Sequence, residues 1–422
     1  MFEHNVTDYG GEIRLDGVTD VAFTVADFFS GAGGLTCGFR RAGFNPLYAI
    51  DCWSPAVRTY ELNHGHHIEH GSVHESSAVP DADVFVGGPP CQGFSSAGRR
   101  VADDERNSLV RIYANLIARH RPKAFVFENV EGFLTTGGGR FLIDLLEPVL
   151  AAGYKVHFRK VNAANFGVPQ HRKRVLAIGG LGFDPSFPEF SHSAAGAPGA
   201  HLVGSGKPTT PSVRDAIGTL PLPSAEPPGS PADHYSKPLT DGWAQRCKLL
   251  KPGQCMRDLP EHLWHGSYHR RANRRVADGM PTEKRGGAPA GIRRLQPDEP
   301  SKAITGAALR DFIHYEQDRC LTIRECARLQ TFPDDFQFVG TPAEKVQQIG
   351  NSVPPLLGYK IAAHLALVLR KNRVADSPGE LLSFKPTASE GMSPALQKTC
   401  DLVRRLFSQR VSQSEEMLLW NL

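Results

Sequence analysis

From residue 23 to about 180, short β-branched apolar runs alternate with helical patterns, and no other feature of the chain restricts its folding more. Candidate strands fall at 23–29, 47–50, 82–86, 124–127 and 175–178. Strands separated by helix-length segments imply a parallel sheet covered by helices, an α/β doubly wound layer. Each of the first four runs ends in a turn carrying Gly, Pro, Asp, Glu or Asn. Ligands of such sheets sit outside the carboxyl ends of the strands, so these turns are expected to converge on one crevice.

Beyond residue 181 the texture changes. Pro and Gly become frequent and apolar periodicity fades until about residue 300, which reads as a smaller, loop-rich domain. Helical patterns return at 322–329 and 355–370, and a last amphipathic helix places Leu396, Cys400, Val403 and Phe407 on one face. The expected division is 21–184 and 311–370 for the α/β domain, 185–310 for the loop-rich one, and 371–422 for an extension. A chain of 422 residues is long enough for two such units.

Composition narrows the class. The amino terminus is acidic and polar where a secretory signal would be basic and then apolar, and the longest aliphatic stretch, 361–369, is interrupted by His364 and too short to span a bilayer. No export and no membrane are expected. The eight cysteines, Cys37, Cys52, Cys91, Cys247, Cys255, Cys320, Cys326 and Cys400, form neither a Cys-x-x-Cys pair nor a zinc spacing. Free thiols in a reducing cytoplasm and no metal are therefore expected. A net charge of +4 is too small to argue nucleic-acid binding. Its distribution says more: Arg270, Arg271, Arg274, Arg275, Lys284, Arg285, Arg293 and Arg294 crowd one segment against only Asp278 and Glu283.

Four strand-end motifs carry chemistry. Asp27-Phe-Phe-Ser-Gly-Ala-Gly-Gly34 runs from a strand through a Gly-rich turn into a helix, where bare amides face an anionic group. Asp51 ends the next strand, near the spacing of about 20 residues at which a carboxylate grips a ribose, so the pair suggests a nucleoside cofactor. Alone, such a turn is equally a plain tight turn. Gly87-Gly-Pro-Pro-Cys-Gln-Gly-Phe-Ser-Ser96 stiffens the backbone before Cys91, a nucleophile if its surroundings favour the thiolate and otherwise an inert buried thiol. Phe127-Glu-Asn-Val130 offers a carboxylate that an apolar crevice would keep protonated, or simply a helix cap. Phe166-Gly-Val-Pro-Gln-His-Arg-Lys-Arg174 brings Arg172 and Arg174 to one side of an extended chain, as a site or as a solvated face.

In this order, and followed by a stretch around Thr322-Ile-Arg-Glu325 and by Gln348-Ile-Gly-Asn-Ser-Val-Pro-Pro355, these blocks strongly resemble the DNA cytosine-5 methyltransferase family over residues 23–178 and 295–369. The resemblance implies a Rossmann-like S-adenosylmethionine-dependent methyltransferase domain with a smaller target-recognition domain. It implies that Phe29, Gly31, Gly33 and Gly34 hold the methionine part of S-adenosylmethionine, and Asp51 the ribose. Cys52, Ser72, Pro89, Asn351 and Ser352 would complete the cofactor pocket. Cys91 corresponds to the nucleophile that adds to C6 of cytosine, Glu128 to the residue on N3, Arg172 to the group on O2, and Arg174 to its neighbour in the turn. Duplex DNA is the implied partner, contacted by Gln92, Ser95, Arg270, Arg271, Arg274, Arg275, Arg293 and Arg294, with the target base flipped out of the stack. A monomeric enzyme with a companion restriction endonuclease is the implied setting. The chain departs from the family pattern where Ser72 replaces the usual Asp and Cys52 the usual large apolar residue, both at the adenine end. Methylation of transfer RNA, a catalytically silent relative and a nicotinamide oxidoreductase are the competing readings, the last leaving Cys91 without a role.

Overall fold

A computed structural model describes residues 22–90, 108–194, 206–266, 268–269, 291–387 and 392–407. The described residues form two compact units: one holds the chain up to Thr210 together with the chain from Ser352, and the other holds Pro211–Asn351.

The larger unit is built on an eight-stranded sheet. Its strands are β1 (Thr24–Phe28), β2 (Asn45–Asp51), β3 (Ile68–His70), β4 (Val84–Gly87), β5 (Ala124–Val130), β6 (Tyr154–Asn162), β7 (Lys173–Leu181) and β8 (Glu380–Lys385), in the order β8-β6-β7-β5-β4-β1-β2-β3. β1 pairs in parallel with β2 on one side and β4 on the other, so the chain winds outward one way and then back the other. That reversal between β1 and β4 is where a doubly wound sheet opens a crevice.

Alternation along β1 explains the layers. Ala26 and Phe28 enter the core that contains Phe85, Phe125 and Tyr113, whereas Val25 enters the one that contains Leu35, Phe39 and Leu357. The first core is covered by α3 (Ser108–His120) and α4 (Arg140–Ala151). The second is covered by α1 (Gly34–Arg41) and α9 (Pro355–Lys371). α1 and α9 approach closely because Gly38 has no side chain: a Cβ there would lie 2.5 Å from Pro355 O and 2.4 Å from Tyr359 N. Helix α2 (Ser54–His64), with Pro55 in its first turn, leads from β2 towards β3.

Three features differ from the sequence expectation. First, β7 runs antiparallel to β5 and β6, so the sheet is not wholly parallel. The link 163–172 is too short for a crossover, which needs a dozen residues or more, and only a reversed strand can follow it. Second, β6 is a strand the apolar-run reading passed over. Tyr154, Val156 and Phe158 alternate with Lys155, His157 and Arg159, a period-2 signal diluted by charge. Third, the extension contributes a strand as well as its amphipathic helix, and its described residues, 371–387 and 392–407, are part of this unit. β8 pairs in parallel with β6, and α10 (Pro394–Phe407) buries Leu396, Cys400, Val403 and Phe407 in the first core.

The smaller unit holds α5 (Val213–Ile217), α6 (Asp241–Leu249), α7 (Ile323–Leu329) and α8 (Pro342–Asn351). Capping boxes start α5 at Ser212/Asp215 and α7 at Thr322/Glu325. Its core gathers Cys247, Leu250, Met256, Leu259, Leu263, Tyr268, Ile292 and Ile313. The unit runs to Asn351, so 311–351, expected to rejoin the α/β domain, is compact with 211–310 instead: α8 and α7 contact each other, as do α5 and α7. The run Pro342–Lys371 is apolar and long enough to cross a membrane, but it consists of α8 and α9, and its apolar window is 61% buried.

Candidate active site at the carboxyl edge of the sheet

The turn after β1 is shaped by backbone conformations that few residues adopt. Phe29 has φ 58°, Gly31 φ 55° and Gly33 φ 85°. A non-glycine residue in the left-handed region costs about 1–3 kcal/mol and persists only where its surroundings hold it. Here Ser30 N–H donates to Ile50 O at 3.1 Å and Gly31 N–H to Asp51 Oδ2 at 2.8 Å. Asp51 also accepts from Trp53 N–H through Oδ1 at 2.8 Å. Burial pushes the Asp51 carboxyl above its ordinary range, against those amide bonds. Gly34 opens the helix and faces the start of α9: a Cβ on Gly34 would lie 2.3 Å from Val353 O and 3.1 Å from Ser352 Cβ. The expected cofactor residues Phe29, Gly31, Gly33, Gly34, Asp51 and Ser352 are thus neighbours within one unit.

The remaining cofactor candidates are more scattered. Cys52 and Ser72 are exposed, and Gly71 N–H beside Ser72 donates to Asp51 O at 3.0 Å, bringing both to the β2–β3 edge. Asn351 ends α8 in the smaller unit, where its Oδ1 accepts from Gln347 at 2.7 Å.

Next to β1, the end of β4 leads into Gly88 and Pro89, which are held by the end of β5. Asn129 Nδ2 donates to Pro89 O at 3.2 Å, and a Cβ on Gly88 would lie 3.2 Å from Glu128 Oε2. Cys91, Gln92 and Ser95 lie outside the described residues, as do Arg270, Arg271, Arg274 and Arg275. Glu128 itself is buried and forms an ion pair with Arg174 Nε at 2.7 Å. The antiparallel register sets Arg174 opposite Val130 and Leu176 opposite Glu128, so the pair is a diagonal cross-strand contact.

The two arginines of the turn go different ways. Arg172, which the sequence places with Arg174 on one side of an extended chain, is fully buried and donates from Nη2 to Ser352 O at 2.9 Å. It ties the turn to the start of α9. Arg174, and not Arg172, stands at the carboxylate.

Beside the Gly31–Gly34 turn lies a polar chain that the motifs did not reveal. Thr36 Oγ1 sits 2.7 Å from Asp27 Oδ2 and 3.1 Å from Tyr60 Oη, which in turn lies 2.8 Å from His67 Nε2. Burial raises the Asp27 carboxyl to about 7, opposed by Thr36 and reinforced by Asp51. These residues come from β1, α1, α2 and the link before β3, and only Asp27 lies within a motif legible in the sequence.

In the smaller unit the structure corrects one expected DNA contact. Arg294 is buried, and its guanidinium donates to Leu250 O, Cys247 O, His314 O, Gln317 O and Asp318. A side chain whose donors are all turned inward is a structural brace, not a phosphate ligand. Arg293 is half-buried and donates to Gly253 O at 3.1 Å.

A family model for C-5 cytosine-specific DNA methylase matches residues 23–366. The Type II methyltransferase M1.HphI of Haemophilus parahaemolyticus is 35% identical over 81% of this chain and 86% of its own length. The Type II methyltransferase M.AgeI of Thalassovita gelatinovora is 32% identical over 81% of this chain and 99% of its own. In fold, the chain is similar to a putative DNA modification methyltransferase from an Escherichia coli prophage, with a TM-score of 0.62 at 22% identity, over 83% of this chain and 100% of the other.

Proposed function

Because the chain belongs to the C-5 cytosine-specific DNA methylase family, we propose that it methylates C5 of a cytosine flipped out of duplex DNA, through a transient bond between Cys91 Sγ and C6 of the base. The observation that carries this reading is the anchoring of Gly88 and Pro89, just before Cys91, against Glu128 and Asn129. It brings Gly88 and Pro89, which precede Cys91 in the chain, and the Glu128 carboxyl to adjacent strand ends.

C5 of cytosine is a weak nucleophile. Addition of the Cys91 thiolate at C6 makes C5 an enamine carbon, splitting one hard step into easier ones. As electrons move toward N3, a proton held between Glu128 and that nitrogen offsets the gathering charge, a contribution typical of general acid catalysis. Arg174, already at the carboxylate, orients it and faces the developing charge on the base, while Arg172 anchors the turn to Ser352. Loss of the C5 proton to water or hydroxide and departure of Cys91 restore aromaticity.

The methyl donor implied by the family is S-adenosylmethionine, which supplies an electrophilic methyl on a sulfonium. The chain's residues fit it: the left-handed Gly31 and Gly33 leave the backbone open to close approach, and the Asp51 carboxylate stands beside it for the ribose. Phe29, Gly34 and Ser352 complete the wall, Asn351, Pro89, Cys52 and Ser72 are assigned to the pocket from the motif match, and Ser72 and Cys52 stand at the adenine end. The smaller unit recognises the target sequence, with Arg270, Arg271, Arg274, Arg275 and Arg293 supplying phosphate or base contacts, joined by Gln92 and Ser95 near the flipped base. The protein acts as a cytoplasmic monomer with a companion restriction endonuclease.

DNA carrying 5-fluorocytosine tests the reading, because fluorine at C5 blocks the final elimination. A denaturation-resistant adduct mapping to Cys91, formed by the wild type and not by Cys91→Ser, is expected. Methylation of ordinary DNA by the wild type without any such adduct would overturn the covalent step.

A further inference from the structure

Soon after Glu128 the chain leaves β5 and makes two single helical turns, Glu131–Leu134 and Thr136–Gly139, before α4 begins at Arg140. The second turn is mostly glycine. Gly137, Gly138 and Gly139 all sit in the left-handed region, at φ 61°, 66° and 91°. Consecutive glycines bring no side chains to pack and lose the most conformational freedom on folding, so such a segment has to be stiffened from outside.

Two anchors come from within the sheet. Glu131 pairs with Lys160 of β6, and the fully buried Phe133 meets Phe127, the residue just before Glu128, with ring centroids 5.0 Å apart. A third comes from beyond residue 366, where the match to the family ends. Thr399 of α10, itself fully buried, donates from Oγ1 to Leu134 O at 2.9 Å. Its hydroxyl has a single proton, and the competing acceptor, Ala395 O of its own helix, lies farther off at 3.2 Å. The Thr399 methyl packs at the last glycine, where a Cβ on Gly139 would lie 3.0 Å from Cγ2. From the same extension, Phe384 of β8 meets Phe158 of β6 at 5.5 Å, and Phe158 lies nearly parallel to Phe133 at 6.4 Å. The extension therefore reaches the turn after Glu128 twice, by a hydrogen bond and through a row of rings.

We propose that Thr399 is a positioning residue for the methyl transfer, a buried hydroxyl from outside the family match that fixes the turn following Glu128 and so keeps the Glu128 carboxyl aligned on the target base. It touches neither the base nor the cofactor; it acts through Leu134 and the Phe133–Phe127 contact. The inference rests on the reading of Glu128 as the residue that holds the N3 proton. Such a carboxyl has to be placed closely, since a misplacement of about 1 Å caused far from the chemistry costs up to roughly a hundredfold in rate.

The test compares wild type, Thr399→Val and Thr399→Ser in the full-length chain, by steady-state methylation of DNA, calorimetric titration with S-adenosylmethionine and thermal melting. Valine keeps the shape and loses the hydroxyl, whereas serine keeps the hydroxyl and loses the methyl. Thr399→Val is expected to lower kcat roughly three- to tenfold, about the worth of one hydrogen bond, with cofactor affinity within about twofold of wild type. Thr399→Ser should recover most of kcat. Added to Glu128→Gln, Thr399→Val should lower kcat no further, because changes that act through one group are not additive. Wild-type kcat in Thr399→Val, an equal loss in Thr399→Ser, or a second full loss on the Glu128→Gln background would overturn the role of Thr399. If Thr399→Val does not fold, Thr399→Cys, similar in size and only a weak donor, takes its place in the same comparisons. Near-wild-type kcat in Glu128→Gln alone would instead overturn the reading of Glu128.

Discussion

Buried charge is used differently in the two units. In the smaller one it is closed. Arg294 is enclosed by four carbonyls and Asp318, Arg324 donates to Ala232 O, Pro333 O and Phe336 O, and Arg319 grips Glu325 with both terminal nitrogens at 2.8 and 2.6 Å. Such networks brace a loop-rich chain whose apolar core is small. At the carboxyl edge of the larger unit charge is left with capacity to spare. Among the described residues, Glu128 has one ion-pair partner and an oxygen beside Gly88, and Asp27 is bonded through one oxygen while Oδ1 is buried without a hydrogen-bond partner. A desolvated polar group that is not saturated costs stability, and such sites persist where function needs them. The lesson is that burial of an arginine or a carboxylate does not by itself mark a site; its unspent hydrogen-bonding capacity does.

Four experiments would break or sharpen that contrast. The largest effect is expected for Glu128→Gln, which keeps shape and loses the acid: kcat should fall roughly 100- to 10000-fold with melting little changed. A mild kinetic effect with a large loss of stability would put Glu128 in the same class as Arg294.

Arg294→Leu should do the reverse. Removing a buried guanidinium strands its carbonyl partners and should destabilise the smaller unit by roughly 2–5 kcal/mol, seen as a lower melting temperature. The neighbouring Arg293→Leu should change stability by no more than about 0.5 kcal/mol. If both variants melt like wild type but lose DNA affinity equally, Arg294 is a DNA contact after all.

The third experiment concerns pH. Asp27 titrates near 7 in the folded protein, above the ordinary carboxyl value of 3.8, chiefly through burial. A raised folded pKa means that the native state holds the proton more tightly than the unfolded chain. The associated stability is therefore complete below about pH 4 and is lost as pH rises through 7. Asp27→Asn should remove that slope and, above pH 8, exceed the wild type by something on the order of 2–4 kcal/mol. Denaturant midpoints measured from pH 5 to 9 check it, and parallel curves for the two proteins would refute the assignment.

The smallest effect is expected at the adenine end. Ser72→Asp restores the carboxylate usual in the family and should tighten S-adenosylmethionine binding roughly three- to tenfold, since charged acceptors bond more strongly than hydroxyls. Unchanged affinity in a calorimetric titration would show that Ser72 does not face the adenine.

Much of this molecule could be read along the chain because its determinants are local. Strands β1, β2, β4 and β5 follow from short apolar runs, and their turns from Gly, Pro and acidic residues at their ends. Strand β6 was missed because charges occupy its alternate positions, and β8 because its six residues lie beyond a link that reads as loop. The motif blocks determined the family and its chemistry, since those depend on residue type and order. What only the tertiary structure decided are the pairings between distant residues. It turned β7 over, sent Arg172 to Ser352 and Arg174 to Glu128, buried Arg294, and set Thr399 against Leu134. The physical reason is that a side chain's role depends on which donors and acceptors surround it, and packing brings those from elements far apart in the sequence.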